Sequence, residues 1–267
     1  MHEREFGDDA FVLPLIQSAL LEEHFHHGFT SRKGGVSAAP FDSLNLGGKW
    51  GDAPESVAEN ARRLRAVCGN AIELHFATQV HEARVAVVRT TDRSDETRSQ
   101  RADALLSPSP GPAVGVFVAD CVPILIGDVH TGACAAVHAG WRGTVASVLS
   151  ATIARLMETP GARASSIRAA IGPSIGPCCF EVGADVVLAV EQAFPWARDA
   201  GVFSEVNGRS HVDLWTLNRR QAESFGIPPS HIDVAELCTF CSPERFFSFR
   251  RDRGRTGQMA AFVRAKR

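Results

Sequence analysis

The sequence contains no tyrosine, and its formal net charge over 267 residues is only −2. Without tyrosine, no phenol is present to act as a catalytic acid. Without an excess of positive charge, the chain lacks the electrostatic signature of a nucleic-acid-binding protein. The short basic stretch Arg250–Arg255 favours a solvated face or a small anionic ligand over a nucleic acid.

Long apolar runs are also missing. No run reaches the roughly 20 residues that a membrane-spanning helix needs. The residues Met1–Asp9 lack the basic start and apolar stretch of a signal peptide. No Gly-x-Gly-x-x-Gly motif follows a predicted strand, which argues against a dinucleotide-binding fold. We therefore expect a cytoplasmic protein without a membrane partner.

The seven cysteines form an odd count in a mid-sized chain, which argues against a disulfide framework and for reduced thiols. Such thiols are available as metal ligands or nucleophiles. Cys178-Cys179 and Cys238-x-x-Cys241 are two local groups of this kind. A single Cys-x-x-Cys is a weak zinc or redox signal, so ordinary reduced cysteines remain the simpler interpretation.

The composition is that of an ordinary globular protein, since 45% of the residues are apolar and 22% charged. The sequence has no tandem repeat and no long linker, so we predict a single domain over residues 1–267. Short β-branched runs alternate with helical patterns. This mixture predicts a layered α/β or α+β sheet protein.

The pattern also predicts individual elements. Val122–Ile126 and Ala133–His138 should pair as a hairpin, followed by a tight turn at Gly140–Gly143. Helices are predicted at Thr144–Met157 with Thr144 as the cap, at Val182–Phe194, and at Asp213–Phe225 with Asp213 as the cap. Ser94–Arg101 should be an exposed loop, and Ser107–Pro112 a connector. Further strands are predicted at Val85–Arg89, Val114–Val118, Ile167–Ile171, Val234–Leu237, Phe246–Phe249 and Met259–Val263.

Three residues are candidates for a metal centre. His81 is expected at the start of a strand, Cys121 lies between two apolar runs, and His138 ends the partner strand of the predicted hairpin. Catalytic zinc commonly has three protein ligands and one open position. Spacing alone leaves the alternative open that the histidines and the cysteine are ordinary core residues.

A polar residue next to Cys121 strengthens the case for a site. Asp120 interrupts an apolar stretch, and burying a carboxylate there is costly unless a cation or hydrogen bonds compensate it. A second candidate is the loop Thr30–Ser37, where Arg32 and Lys33 precede two glycines and could cradle a phosphate. Its ordinary interpretation is a charged surface turn.

Together these motifs resemble the family of laccase-domain proteins, once called multicopper polyphenol oxidoreductases and now regarded as purine nucleoside phosphorylases with adenosine deaminase activity. The similarity extends over almost the whole chain. The matching motifs are Phe29–Ser37, Ser43–Gly47, Gln79–His81, Ala102–Ala104, Ala119–Pro123, Val137–Gly143, Ile171–Pro173 and Phe247–Asp252.

The resemblance implies a single-domain fold of mixed sheets between helices, with Zn²⁺ held by His81, Cys121 and His138 as the catalytic centre. It implies purine nucleosides and phosphate as substrates, and we expect Arg32, Asn45 and Arg142 to bind them. A monomer is expected, because no heptad pattern is present. Two departures from the family pattern are Glu82, where glycine is common, and Gln258, where arginine is commoner; the second puts substrate preference in doubt.

The two implied reactions need different groups. Deamination requires an activated water and a proton carrier. Asp120 and Glu82 are neighbours of expected ligands, but adjacent strand residues point to opposite faces, so the sequence names no general base. Phosphorolysis requires cationic and backbone donors for phosphate, for which Arg32 and Arg142 are the best candidates.

Three alternatives remain. A multicopper oxidase needs several His-x-His pairs, and only His24-x-His26 has that spacing, so copper is the less favoured metal. Cys121 and His138 could instead act as nucleophile and base of an amide hydrolase that edits peptidoglycan precursors. A non-enzymatic protein with a structural zinc would need a fourth ligand, from Cys178, Cys179 or Cys238.

Overall fold

The computed structural model describes residues 1–69, 73–108 and 111–266. Its strands, numbered in chain order, are β1 (His2–Asp8), β2 (Phe11–Gln17), β3 (Phe25–Thr30), β4 (Leu74–His75), β5 (Val85–Val87), β6 (Ala104–Ser107), β7 (Ala113–Val118), β8 (Val122–Asp128), β9 (Cys134–Ala139), β10 (Ile167–Ile171), β11 (Phe203–Val206), β12 (Arg209–Val212), β13 (Ile232–Val234) and β14 (Met259–Ala265).

The α-helices are α1 (Ala19–Glu22), α2 (Pro54–Gly69), α3 (Ser94–Ser99), α4 (Trp141–Val145), α5 (Val148–Met157), α6 (Ala184–Ala193) and α7 (Leu214–Ser224). Two single 3₁₀ turns lie at Ala164–Ser166 and Pro229–His231.

Two six-stranded sheets form the centre of the molecule. The first has the order β1-β2-β3-β14-β7-β4 and the second β13-β10-β8-β9-β6-β5. Both are mixed, because β4 pairs parallel with β7, and β13 and β5 pair parallel with β10 and β6, while the other pairs are antiparallel. A two-stranded ribbon, β11-β12, is separate. The predicted sandwich of mixed sheets and helices is confirmed.

The two sheets pack face to face, with β7 and β14 against β8 and β9. Alternating strand residues explain the layers, since successive side chains point to opposite faces. Leu125 and Ala136 belong to the core between the sheets, whereas their neighbours Ile124 and Val137 belong to the core beneath α5 and α7. On the opposite outer face, Leu64 of α2 packs against the first sheet.

The predicted hairpin is confirmed: β8 pairs antiparallel with β9, and Pro123 is opposite His138. The helix predicted at Asp213–Phe225 is also confirmed. The Asp213 carboxylate accepts hydrogen bonds from the backbone N–H groups of Trp215 and Thr216 at 2.9 and 3.1 Å. Gly226 follows the helix with φ +82°, as a helix-ending glycine does.

The helix predicted at Thr144–Met157 is divided in two. Ser147 has φ +62°, so the chain leaves helical geometry between α4 and α5. Thr144 is therefore no cap; it is buried within α4, where its hydroxyl accepts a hydrogen bond from Asn218 at 3.1 Å. The tight turn predicted at Gly140–Gly143 is wrong as well, because Trp141 begins α4.

Three other local predictions are wrong because packing between distant segments decides the structure there. Ser94–Arg101 is no loop but contains α3, anchored by the buried Thr97, which hydrogen-bonds His75. Phe246–Phe249 forms no strand. Phe246 and Phe247 made the segment look like a strand because they are apolar, but they are buried in the core between the sheets without regular structure. Of Val234–Leu237, only Val234 is in a strand.

In the predicted connector, Ser107 ends β6, and Ser109 and Pro110 lie outside the described residues. Within the described ranges, no helix is both long enough and apolar enough to cross a membrane.

Candidate active site

The structure brings together the three residues that the sequence analysis selected. The ligand atoms of His81, Cys121 and His138 all lie within 4.8 Å of one another. The His81 Nε2 and the Cys121 sulfur are 4.0 Å apart, and the two imidazole rings meet edge to face with centroids 4.9 Å apart. The three side chains therefore converge on one point, which we call the three-ligand centre.

The pairing of β8 and β9 positions two members of this centre. Cys121 immediately precedes β8, and Val122 is opposite Ala139, the residue after His138. His81 does not start a strand, as the sequence had predicted; it lies in the loop between β4 and β5, with φ +63°. A positive φ is costly for a side chain of this size, and such strain concentrates at functional sites.

Asp103 holds the His81 loop and His138 together. Its carboxylate is fully buried and accepts hydrogen bonds from the backbone N–H groups of Val80, His81 and Glu82 at 2.9–3.1 Å. The same carboxylate accepts from His138 Nδ1 at 2.8 Å. Sequence reasoning missed this residue, although a lone aspartate between Ala102 and Ala104 in an apolar stretch was a signal.

The hydrogen bond that His138 donates to Asp103 fixes which His138 nitrogen faces the centre. With Nδ1 donating to the carboxylate, Nε2 is the nitrogen left for a ligand. A carboxylate behind a histidine in this way is typical of metal-binding histidines. The pKa of the Asp103 carboxyl is lowered, although burial raises it, because His138 and the loop N–H groups stabilise the charged form.

Gln79 and Gly140 complete the framework around the centre. The Gln79 side-chain amide both donates to and accepts from the backbone of Phe117, each at 2.7 Å, which fixes the start of the His81 loop to β7. A Cβ at Gly140 would lie 2.8 Å from the Cys121 sulfur and 3.3 Å from His81. Only glycine leaves the space that the converging side chains need.

Cys121 and His138 each shift the pKa of the other. The pKa of the Cys121 thiol falls to about 6, against the effect of burial, because of the charge of His138 and hydrogen bonds from both histidines. The pKa of His138 rises to about 9, again against burial, because of Cys121 and Asp103. Thiolate is therefore the stable form of Cys121, and thiolate is the form that binds metals.

Asp120 shares the cavity with Cys121, contrary to the expectation for a regular strand. Its φ is +87°, so the chain turns between β7 and β8 and the alternation of strand side chains does not apply. The carboxylate accepts hydrogen bonds from the Thr239 hydroxyl at 2.6 Å and the Arg250 backbone N–H at 2.7 Å. Burial raises its pKa despite these bonds.

A cavity of about 590 Å³ opens over the three-ligand centre. Its size is in the range of small-molecule sites. Four aromatic side chains line it, and two of them, Trp50 and Phe249, have ring centroids 5.6 Å apart. The aromatic lining residues are Trp50, Phe117, Phe180 and Phe249. Flat aromatic side chains next to polar side chains suit the binding of a planar, polar ring.

The cations of this cavity are not those that the sequence analysis selected. Lys49, Arg98 and Arg250 line the cavity. The Arg98 guanidinium lies 4.9 Å from the Phe117 ring centroid and donates to the carbonyl of Ala77. Sequence reasoning missed Arg98, because it was assigned to a surface loop, and it recognised Arg250 only as part of the basic stretch Arg250–Arg255.

The three residues expected to bind substrate or phosphate have other contacts. Arg32 donates to the carbonyls of Asp42 and Pro243 at 2.6 and 2.9 Å. Arg142 is exposed in α4, with its guanidinium 4.3 Å from the ring of its neighbour Trp141. Neither arginine is among the residues that line the cavity.

Asn45 is fully buried and organises the loop beside the cavity. Its Oδ1 accepts hydrogen bonds from the backbone N–H groups of Gly47 and Gln258, at 3.0 and 2.8 Å. Gln258, the departure from the family pattern, lines the cavity. Asn45 thus positions the Gln258 backbone at the cavity rather than lining the cavity itself.

Comparison with known proteins identifies the family of this chain. A sequence profile described as multi-copper polyphenol oxidoreductase laccase matches residues 26–266. The chain belongs to this family. Among its laccase-family relatives, purine nucleoside phosphorylase PA4543 of Pseudomonas aeruginosa is 41% identical over 88% of this chain and 90% of that protein. A purine nucleoside phosphorylase of Deinococcus radiodurans is 37% identical over 94% and 92% of the two chains.

Solved structures of the laccase family have the same fold. The crystal structure of YlmD from Geobacillus stearothermophilus superposes with a TM-score of 0.88 at 32% identity, with both chains covered completely. The Bacillus licheniformis hypothetical protein YfiH gives a TM-score of 0.87 at 32% identity, over 95% and 96% of the two chains.

The donor set of this laccase-family member fits zinc better than a copper cluster. Within the part of the chain that the structure describes, three or more potential ligands come together at two separate places, and neither group contains His24 or His26. Two imidazoles and one thiolate are donors that Zn²⁺ accepts, and three ligands leave one position open. A multicopper cluster would need more histidines than converge here.

Proposed function

We propose that this protein is a zinc-dependent purine nucleoside phosphorylase, with adenosine deaminase activity in the same cavity. The observation that carries the proposal is the cavity itself, because aromatic side chains, cationic side chains and the three-ligand centre line it together. The names of the relatives from Pseudomonas aeruginosa and Deinococcus radiodurans support the phosphorylase activity. Adenosine, inosine, guanosine and methylthioadenosine are the proposed nucleosides, and phosphate is the second substrate.

The walls of the cavity would bind the purine. Trp50 and Phe249 present their rings to the cavity, and stacking between aromatic rings adds about 0.5–1.5 kcal/mol beyond the burial of apolar area. Gln258 and Gln79 add polar groups to the same lining. A planar base with ring nitrogens satisfies both the apolar and the polar part of this surface.

Phosphate would bind to the cavity cations rather than to Arg32 and Arg142. Arg98 and Arg250 supply guanidinium groups, which suit phosphate geometry, and Lys49 adds a further charge. When bound to His81, Cys121 and His138, Zn²⁺ supplies Lewis-acid chemistry, which serves either a leaving purine or an attacking water. Asp103 keeps His138 oriented for this role.

Asp120 is the proposed proton carrier of the deamination. Its carboxyl lines the cavity beside Cys121, and burial raises its pKa, which brings it nearer to the range in which a carboxyl can both accept and donate a proton. Its hydrogen bonds to Thr239 and the Arg250 backbone hold it in place.

One observation favours a second candidate function. A thiolate–imidazolium pair with a Cys121 pKa of about 6 is also the arrangement of a cysteine nucleophile with its histidine base. In that case the protein would hydrolyse an amide, such as one in a peptidoglycan precursor, and metal removal would leave the activity intact.

Chromatographic product analysis separates the two functions. The zinc-loaded protein is incubated with adenosine, inosine or guanosine, with and without phosphate, beside a His81→Ala variant and chelator-treated protein. We expect free base and ribose-1-phosphate only with phosphate, inosine from adenosine without it, and loss of both in the variant and after chelation. A folded, zinc-bearing protein that turns over none of the three nucleosides would contradict the proposal.

A further inference from the structure

Four cysteines from two distant segments of the chain meet at a second place in the fold, apart from the residues of the three-ligand centre. The sulfur atoms of Cys178, Cys179, Cys238 and Cys241 all lie within 4.8 Å of one another. The Cys241 sulfur is 3.3 Å from that of Cys179 and 3.7 Å from that of Cys178. We call these residues the four-cysteine cluster.

We propose that the four-cysteine cluster is a structural zinc site, separate from the three-ligand centre. Zinc in a closed structural site has four ligands in a tetrahedron, with zinc–sulfur bonds of about 2.3 Å. Such a tetrahedron has sulfur–sulfur edges of roughly 3.8 Å. The cluster therefore already has the size of a Cys₄ zinc site, and small side-chain rotations suffice to close it around the ion.

The backbone around Cys238 has the hydrogen bonds that a metal-bound thiolate needs. The Gly176 N–H donates to the Cys238 sulfur at 3.3 Å. A backbone N–H directed at a cysteine sulfur stabilises the thiolate, which is the form that binds metals.

A disulfide explains the arrangement less well. One bridge would use two of the four sulfurs and leave the other two beside it without a role. Cys241 is in contact with two partners, Cys178 and Cys179, whereas a bridge needs one. Hydrogen bonds to a sulfur stabilise a thiolate and contribute nothing comparable to a bridged sulfur.

The four-cysteine cluster lies where two chain segments meet, so an ion bound there would hold the segments together. Backbone bonds join Ser174 to Leu237 and Thr239, so the two cysteine-bearing segments already run side by side. Thr239 in turn donates to Asp120, the neighbour of Cys121. Phe180 and Arg250, which line the cavity, follow the two cysteine pairs closely in sequence. An ion in the cluster would tie both segments together and fix one wall of the cavity.

Metal counting on the full-length chain tests the inference. The reduced wild-type protein and the variants Cys121→Ser, Cys241→Ser and Cys178→Ser are saturated with Zn²⁺, freed of excess, and analysed by native mass spectrometry. We expect two zinc ions in the wild type and one in each variant. One zinc in the wild type, lost in Cys121→Ser and kept in Cys241→Ser, would overturn the proposal.

Cobalt substitution identifies which site each ion occupies. With Co²⁺ in place of Zn²⁺, four thiolates give much stronger sulfur-to-metal charge-transfer absorption than one. We expect Cys121→Ser to keep most of this absorption and Cys241→Ser to lose most of it. The opposite result, or a Cys179–Cys241 disulfide in peptide maps of protein prepared without reductant and with zinc present, would contradict the site.

These readouts do not depend on enzymatic activity, so they stand whether or not the nucleoside function holds. Cys178 and Cys241 are exposed, and their replacement by serine leaves the core unchanged. Far-ultraviolet circular dichroism verifies that the variants are folded. A lower midpoint of thermal unfolding for zinc-loaded Cys241→Ser than for zinc-loaded wild type, with equal midpoints after chelation, would support the structural role.

Discussion

The three-ligand centre and the four-cysteine cluster differ in the number and the support of their donors. His81, Cys121 and His138 open into a cavity and are held from behind by the carboxylate of Asp103. The four-cysteine cluster has four thiol groups, and the Gly176 backbone N–H supports its buried member, Cys238. A metal ion with three protein ligands beside a cavity keeps a coordination position for a reacting molecule. A metal ion with four protein ligands has no such position and stabilises the fold instead.

The comparison teaches that the ligands alone do not define a site. A carboxylate behind a histidine orients the ring and makes it a better donor, while N–H groups on a sulfur only balance its charge. The two sites nevertheless share a structural link, since Thr239, next to Cys238, donates to Asp120, next to Cys121. Substitutions that alter one site and leave the metal binding of the other unchanged would show that the two sites act independently.

The largest effect is expected from Gly140→Ala. The new Cβ would lie 2.8 Å from the Cys121 sulfur, so the sulfur must move, and misplacement of this size costs about 10²-fold in turnover. The protein should bind one zinc ion, in the four-cysteine cluster, and remain folded. Gly143→Ala, in the helix α4 that follows Gly140, is the control, because its Cβ would make only ordinary contacts, at 3.4 Å or more. Equal activity of the two variants would contradict the crowding argument.

Asp103→Asn should have the second-largest effect. The amide keeps the shape of the side chain but removes the charge behind His138 and cannot accept all four hydrogen bonds. Loss of such a supporting group typically lowers metal affinity or activity about 10–100-fold. Competition with a chelator should show this loss at the three-ligand centre and unchanged affinity at the four-cysteine cluster. An equal decrease at both sites would mean that the variant only loosens the fold.

Thiol reactivity should distinguish the two sites in reduced, metal-free protein. The pKa of Cys121 is about 6, whereas burial and the neighbouring thiols raise the pKa of Cys178 to about 12. Thiolate forms as the pH rises through the pKa, so at pH 7.5 Cys121 is mostly thiolate and Cys178 mostly thiol. Iodoacetamide should therefore label Cys121 about tenfold faster or more, despite its lower exposure. Peptide mass spectrometry against pH measures both rates, and faster labelling of Cys178 would refute the assignment.

The smallest effect is expected from Arg98→Ala, which touches neither set of ligands. Loss of one cationic donor at the cavity should raise the KM for phosphate about fivefold, near 1 kcal/mol, and leave the zinc content and the KM for the nucleoside unchanged. Arg142→Ala is the matched control, because its guanidinium packs on Trp141 outside the cavity lining. A larger change in the control would restore the role that the sequence suggested for Arg142.

Local signals explain which predictions were correct. The Asp213 cap and Gly226 act at the two ends of one helix, and the β8–β9 hairpin follows from two short apolar runs around a turn. Ser94–Ser99 was missed because its helix depends on a contact between Thr97 and His75, 22 residues apart in sequence. The apolar run at Phe246 indicated burial correctly but not a strand, since core residues also lie in irregular segments.

The sequence by itself indicated a layered α/β organisation, because hydrophobic periodicity is a local property, and its short motifs selected His81, Cys121 and His138 as candidates for one site. Only the tertiary structure decided which charged groups surround them. Asp103 became the support of the centre, Arg98 and Arg250 became the cavity cations, and Arg32 was engaged by Asp42 and Pro243. These roles depend on which distant segments meet, and a side chain's partners across the fold are set by packing, which no local pattern records.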